Sequence, residues 1–213
     1  MNKEKTIFWN VDTQVDFMEP DGKLYVPGAE TIKPNLEKLT QFAKKHFIRV
    51  VNTADYHYIN SAELSSAPNF IDSFPQHCMA GSPGSLFIPE TNPNQPVIFK
   101  WDKEYTILKA YDDPIRDRNL VIFKDDFDVF KGNSNTQKIL MNLLMPEAIY
   151  VYGVTTNVCV DKAVTGLVQR GYKVFVVEDA IKELPNLPLP FDNWDKIGVK
   201  RIKTQDVLNL NML

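Results

Sequence analysis

Short apolar runs separated by stretches of helical periodicity restrict this chain more than any other feature. The runs are residues 7–11, 47–51, 120–123, 148–152, 173–177 and a short one at 199–202. Between them, Ile32, Leu36, Leu39 and Ala43 mark one face of a helix over 29–45. Ile139, Leu140, Leu143 and Leu144 mark a second helix, stopped before Pro146. Val160, Ala163, Val164, Leu167 and Val168 mark a third, ended by Gly171. A tail follows around residues 206–210. Near-continuous apolar strands alternating with helices mean a mostly parallel sheet with both faces covered. Right-handed crossovers then give a doubly wound α/β fold, here with six strands. Such folds hold ligands beyond the carboxyl ends of their strands.

The residues at those ends are polar and ionisable. Asp12 and Asp16 follow the first strand, Asp55 and His57 the second, Lys124 and Asp125 the third, and residues 153–159 the fourth. Cys159 lies where an amphipathic helix begins, a position that lowers a thiol's pKa through unpaired N–H groups and the helix dipole. A thiolate nucleophile also needs a proton acceptor and an oxyanion site. Asp12 could take the proton, Lys124 could hold both groups, and backbone N–H groups around Thr155 and Cys159 could receive the oxyanion. Each residue alone has a plainer explanation. Cys159 fits a small buried hydrophobe, Asp12 a turn cap, and Lys124 a solvated strand end.

A second constellation is Asp55, His57, Glu63 and His77, which takes two of only three histidines. Alternation along an extended segment puts Asp55 and His57 on one side. Imidazole and carboxylate together suit Zn²⁺, Fe²⁺ or Mn²⁺ more than Ca²⁺. Two ordinary loop histidines explain the spacing equally well. His46 belongs to a helix C-terminus, and Cys78 reads as a buried structural thiol.

A net charge of −3 argues against nucleic acid as a partner. No apolar run approaches the ~18 residues of a membrane span. The opening MNKEKTIFW lacks an apolar signal core, and two cysteines are too few for a disulfide framework. The expected compartment is the reducing cytoplasm.

With these residues in view, the chain resembles the cysteine-hydrolase superfamily of nicotinamidases and isochorismatase-like amidases. The matching motifs are Val11-Asp12-Thr13-Gln14-Val15-Asp16-Phe17, Asp55-Tyr56-His57, Phe74-Pro75-Gln76-His77-Cys78-Met79-Ala80-Gly81-Ser82-Pro83-Gly84, Phe123-Lys124, Gly153-Val154-Thr155-Thr156-Asn157-Val158-Cys159-Val160, and Gly171-Tyr172 running to Glu178-Asp179-Ala180. They keep the family's order and span nearly the whole chain, residues 90–118 being less typical. The resemblance implies one Rossmann-like, isochorismatase-like domain over 1–213, with a loop-rich insert at about 55–118. It implies an Asp12–Lys124–Cys159 triad and a cis peptide between Val154 and Thr155 beside the oxyanion site. It also implies a divalent metal, Zn in the first place and Fe or Mn otherwise, on Asp55, His57, His77 and Glu63. Glu63 stands where many members have His. Phe17 and Phe74 would flank a flat aromatic substrate, with plain core packing as the other account of Phe74.

The implied activity is hydrolysis of nicotinamide to nicotinate and ammonia through a thioester, by a homo-oligomer acting on a small-molecule amide. Two other readings compete. One is a relative acting on a carbamoyl or ureido amide. The other is a non-catalytic metabolite-binding module, against which no Gly-x-Gly-x-x-Gly follows the first strand.

Overall fold

The computed structural model describes residues 5–105 and 119–210. Part of the loop-rich insert, residues 106–118, lies outside the described residues.

Seven strands form one parallel sheet in the order β3-β4-β2-β1-β5-β6-β7. They are β1 (Thr6–Val11), β2 (Arg49–Asp55), β3 (Val97–Phe99), β4 (Leu120–Lys124), β5 (Ala148–Val154), β6 (Lys173–Lys182) and β7 (Lys200–Ile202). The expected count of six is corrected by β3, a three-residue edge strand that pairs with β4 from Val97↔Leu120 to Phe99↔Ile122. It sits in a Pro-rich stretch, next to Pro96, where hydropathy carries little strand signal.

Alternation decides which helices cover which face. Ile7, Trp9 and Val11 of β1 face one core with Ile149 and Val151. Phe8 of β1 and Tyr150 and Tyr152 of β5 face the other. The first face is covered by α3 (Val129–Gly132), α4 (Asn135–Ile139) with its π continuation Leu140–Leu144, α5 (Asp161–Gln169) and α6 (Phe191–Lys196). The second is covered by α1 (Val15–Met18), α2 (Lys33–His46) and α7 (Thr204–Leu208). Completely burying a side chain such as Leu36 or Val151 contributes about 1.5–3 kcal/mol each, so the two clusters supply most of the driving force for layering.

The second strand starts later than the hydropathy indicates. Phe47 ends α2 in the left-handed region (φ 57°) and is 88% exposed. The strand instead runs on through buried Asn52 and Thr53. Their polarity is absorbed internally: Asn10 Nδ2 donates to Asn52 Oδ1 at 3.0 Å, and Asn52 Nδ2 donates to the Leu120 carbonyl at 3.0 Å.

The chain leaves β1 for β2 on one side and returns to β5 on the other. The carboxyl end of β1 is therefore the point where strand order reverses, the place where open α/β sheets bind ligands. Among the described residues, no helix is long and apolar enough to cross a membrane.

Candidate active site

Asp12 is the first residue past β1, and its backbone turns into the left-handed region (φ 48°). Its N–H donates to the Thr53 carbonyl at 3.2 Å, and its Oδ1 accepts the Thr53 hydroxyl at 2.6 Å. This fixes the carboxyl beside the end of β4. There Lys124 Nζ lies 3.0 Å from Asp12 Oδ2 and 3.9 Å from Cys159 Sγ, and it also donates to Asp55 Oδ1. Cys159 belongs to a π turn (Thr156–Val160) that precedes α5, not to the first turn of that helix. The peptide between Val154 and Thr155 is cis. At Gly153 (φ +117°) an added Cβ would sit 2.1 Å from the Val11 carbonyl oxygen, so only glycine lets β5 pass β1 this closely beside the nucleophile loop.

The expected low thiol pKa is overturned. Burial pushes the Cys159 thiol well above its ordinary value, with the Lys124 charge opposing that rise. Burial also raises Asp12, opposed by Lys124 and reinforced by Asp55. Burial works against the charged form of Lys124, but Asp12 and Asp55 outweigh it and keep the ammonium charged. The resting site thus holds a protonated thiol beside a carboxyl of enhanced basicity and a permanent cation.

The second constellation is assembled by loop hydrogen bonds. The His57 N–H donates to the Cys78 carbonyl at 3.2 Å, and the Ala80 N–H returns to the His57 carbonyl at 2.8 Å, which brings His77 alongside. The Phe74 N–H donates to the Glu63 carbonyl at 2.8 Å. Asp16 secures the same loop: its Oδ2 accepts the Cys78 N–H at 2.7 Å, and a Cβ on Gly84 would fall 2.2 Å from its carboxylate. The outcome is four buried side chains around one point. Asp55 Oδ2 lies 3.9 Å from His57 Nε2 and 3.6 Å from His77 Nε2; Glu63 Oε1 lies 3.9 and 3.7 Å from the same atoms.

These donors fit a divalent cation. His57 Nε2 and Glu63 Oε2 are buried without a hydrogen-bond partner, which is costly unless something else is bound there. Each imidazole is anchored through its other nitrogen, His57 Nδ1 at 2.8 Å from Asp125 Oδ1 and His77 Nδ1 at 2.8 Å from the Pro75 carbonyl. Both Nε2 atoms therefore face the centre. Burial and the Asp55 charge push Glu63 up to about 8. Burial disfavours ionised Asp55, but Lys124 and the two histidines outweigh it and hold its carboxyl well below the usual range. A dication would favour ionised Glu63 as well.

Asp55 touches both constellations, one oxygen on Lys124 and the other toward the histidines. A single cavity is lined by Asp55, Glu63, His77, Thr155 and Cys159 together with the rings of Phe17 and Phe74. The triad, the four metal-type donors, Phe17 and Phe74 thus gather at one rim. Others were missed. Leu24, Phe127, Val158 and Leu184 also line the cavity. Gln14 grips the Asp55 backbone from both sides, accepting its N–H at 2.7 Å and donating to its carbonyl at 2.8 Å. Asn157 holds Leu184 in place, donating to its carbonyl at 2.9 Å and accepting its N–H at 3.0 Å. Gln14 and Asn157 lay inside the recognised motifs, but only tertiary contacts assign their partners.

The isochorismatase-domain pattern matches residues 6–109 and 106–188. The chain belongs to the isochorismatase family. It is 25% identical over 174 residues to the nicotinamidase/pyrazinamidase of Mycobacterium tuberculosis, covering 79% of this chain and 82% of that one. It is 24% identical over 205 residues to the nicotinamidase of Saccharomyces cerevisiae, covering 84% and 88%. The pyrazinamidase of Pyrococcus horikoshii, solved in complex with zinc, superposes with a TM-score of 0.68 at 22% identity over 93% of this chain and 99% of that one. Family membership makes this chain a hydrolase.

Proposed function

We propose that the chain is a metal-dependent cysteine amidohydrolase that converts nicotinamide to nicotinate and ammonia. The observation that carries this reading is one cavity lined by Cys159, by three of the four metal-type donors and by two aromatic rings, with Asp12 and Lys124 beside the sulfur and His57 beside the other donors. The nicotinamidase names of the two sequence relatives support the choice of substrate.

Asp12 accepts the thiol proton, and Cys159 Sγ attacks the carboxamide carbon. Lys124 offsets the negative charge shared by Asp12 and the sulfur. Backbone N–H groups of Thr155 and Cys159 receive the oxyanion. Asp12 then returns its proton to the amine, the C–N bond breaks and ammonia leaves. A water molecule, deprotonated by Asp12, hydrolyses the thioester to the acid and regenerates the thiol. One carboxyl acts as base and then as acid. Its raised pKa suits both roles.

Asp55, His57, Glu63 and His77 would hold a divalent cation, with zinc the first choice from the donor set. When bound, it supplies a Lewis acid that can orient a ring nitrogen or a water. Phe17 and Phe74 lie against His77, with ring centroids 5.3 and 6.2 Å away, and would flank a flat ring in the cavity that both line.

Ammonia release from nicotinamide, pyrazinamide and simple ureido amides, with and without chelator, tests the reading. Nicotinamide turnover that falls on metal removal supports it. Turnover of ureido amides alone, indifferent to chelator, would transfer the chain to the rival amidase class.

A further inference from the structure

Asp125 follows Lys124 directly, and its one contact described so far is with His57 Nδ1. The register explains where it goes. Asp55 pairs with Lys124 across β2 and β4, and the Tyr56 N–H donates to the Lys124 carbonyl at 3.0 Å. Both strands stop there, and the Asp125 N–H turns away to the Gly132 carbonyl at 3.2 Å. Lys124 reaches Asp12 and Cys159, while Asp125, the first residue past β4, meets His57. Its Oδ1 lies 2.8 Å from His57 Nδ1 and accepts the Ser61 hydroxyl at 2.5 Å. Ser61 is itself tied down: its Oγ accepts the Tyr58 N–H at 2.9 Å, and its own N–H donates to the Tyr58 carbonyl at 3.0 Å. The 58–61 turn thereby presses one hydroxyl and one carboxylate against the outer edge of the His57 ring.

We propose that Asp125, backed by Ser61, is a positioning residue that fixes the tautomer and orientation of His57 for a divalent cation. It rests on the metal-binding part of the function proposed above. With Nδ1–H donated to Asp125, the lone pair of His57 stands on Nε2, the atom that faces Asp55 and Glu63. The Nδ1 of the other histidine faces the neutral carbonyl of Pro75. The two imidazoles are thus held unequally, and the charge-assisted bond belongs to His57. One dipeptide, Lys124-Asp125, then serves both constellations, the first residue holding the thiol's partners and the second a metal ligand.

Zinc affinity of the full chain, measured by competition with a chromophoric chelator, tests this without reference to turnover. Asp125→Ala is expected to weaken zinc binding by about 10- to 100-fold. Asp125→Asn keeps an acceptor for Nδ1–H and is expected to recover most of that loss, which a purely structural role for the side chain would not produce. Ser61→Ala is expected to weaken binding several-fold. Melting of the metal-free variants serves as the folding control. Wild-type zinc affinity in a folded Asp125→Ala, or equal losses in Asp125→Ala and Asp125→Asn, would overturn the proposal. If Asp125→Ala does not fold, Ser61→Ala decides: a several-fold loss supports the proposal and an unchanged affinity overturns it. Ammonia release on the same preparations separates the two ideas. The expected zinc pattern without amide hydrolysis keeps the positioning role and removes the amidase reading. Hydrolysis by a chain that binds no zinc does the reverse.

Discussion

The two cysteines of this chain make an instructive pair. Both are buried, and burial pushes both thiols well above their ordinary pKa. Cys78 is fully enclosed, with its sulfur 3.8 Å from the Gly84 carbonyl and the acidic Asp55 and Asp16 raising it further. Cys159 differs in three respects: an ammonium 3.9 Å away, the Asp12 carboxyl within 4.8 Å and a place on the cavity wall. Helix position and burial do not separate an inert thiol from a nucleophile here. A neighbouring cation, a neighbouring base and access to a ligand do.

The largest break in that comparison is Cys159→Ala. Ammonia release should fall by at least about 10⁴-fold, with circular dichroism and melting unchanged. Lys124→Met makes the surroundings of Cys159 resemble those of Cys78. It also strands the carboxylates of Asp12 and Asp55, so urea unfolding should show a loss of about 3–5 kcal/mol along with the loss of turnover. Chelation should act on one half of the site only. Nicotinamide turnover drops and returns with added zinc, while Cys159 remains present as a titratable thiol throughout.

Smaller effects sharpen the picture. Asp12 must be ionised to accept the thiol proton, and its pKa is raised. The ionised form is therefore lost as pH falls through that raised value, and the acid limb of kcat/KM should lie above the ordinary carboxylate range. A limb at or below that range would remove Asp12 as the base. Least affected should be Cys78→Ala, with kcat unchanged and about 1 kcal/mol of stability lost from a small cavity. A collapse of kcat in that variant would erase the distinction between the two thiols.

The sheet and the gathering at its rim were readable in the sequence because both follow local rules. Apolar β-branched runs mark β1, β4 and β5, and polar residues crowd where each one stops. Three features were not readable. β3 has only three residues on a sheet edge, too few for an alternation to register. β2 continues through Asn52 and Thr53, whose burial depends on partners in β1 and β4. The upward direction of the Cys159 pKa is the third, because a helix start is visible in a sequence while depth of burial is a property of the packed molecule. Asp125 stands among the strand-end residues in the sequence, but its contact with His57 exists only in the folded chain.

The account turns on a covalent bond between Cys159 and the acyl group of the substrate. Acid-quenching the protein during nicotinamide turnover and mapping the adduct by peptide mass spectrometry examines that bond directly. The account predicts a nicotinoyl thioester on the peptide containing Cys159, absent from Cys159→Ala and from protein quenched without substrate. Steady ammonia release with no acyl adduct at Cys159, or an adduct that survives in Cys159→Ala, would contradict it.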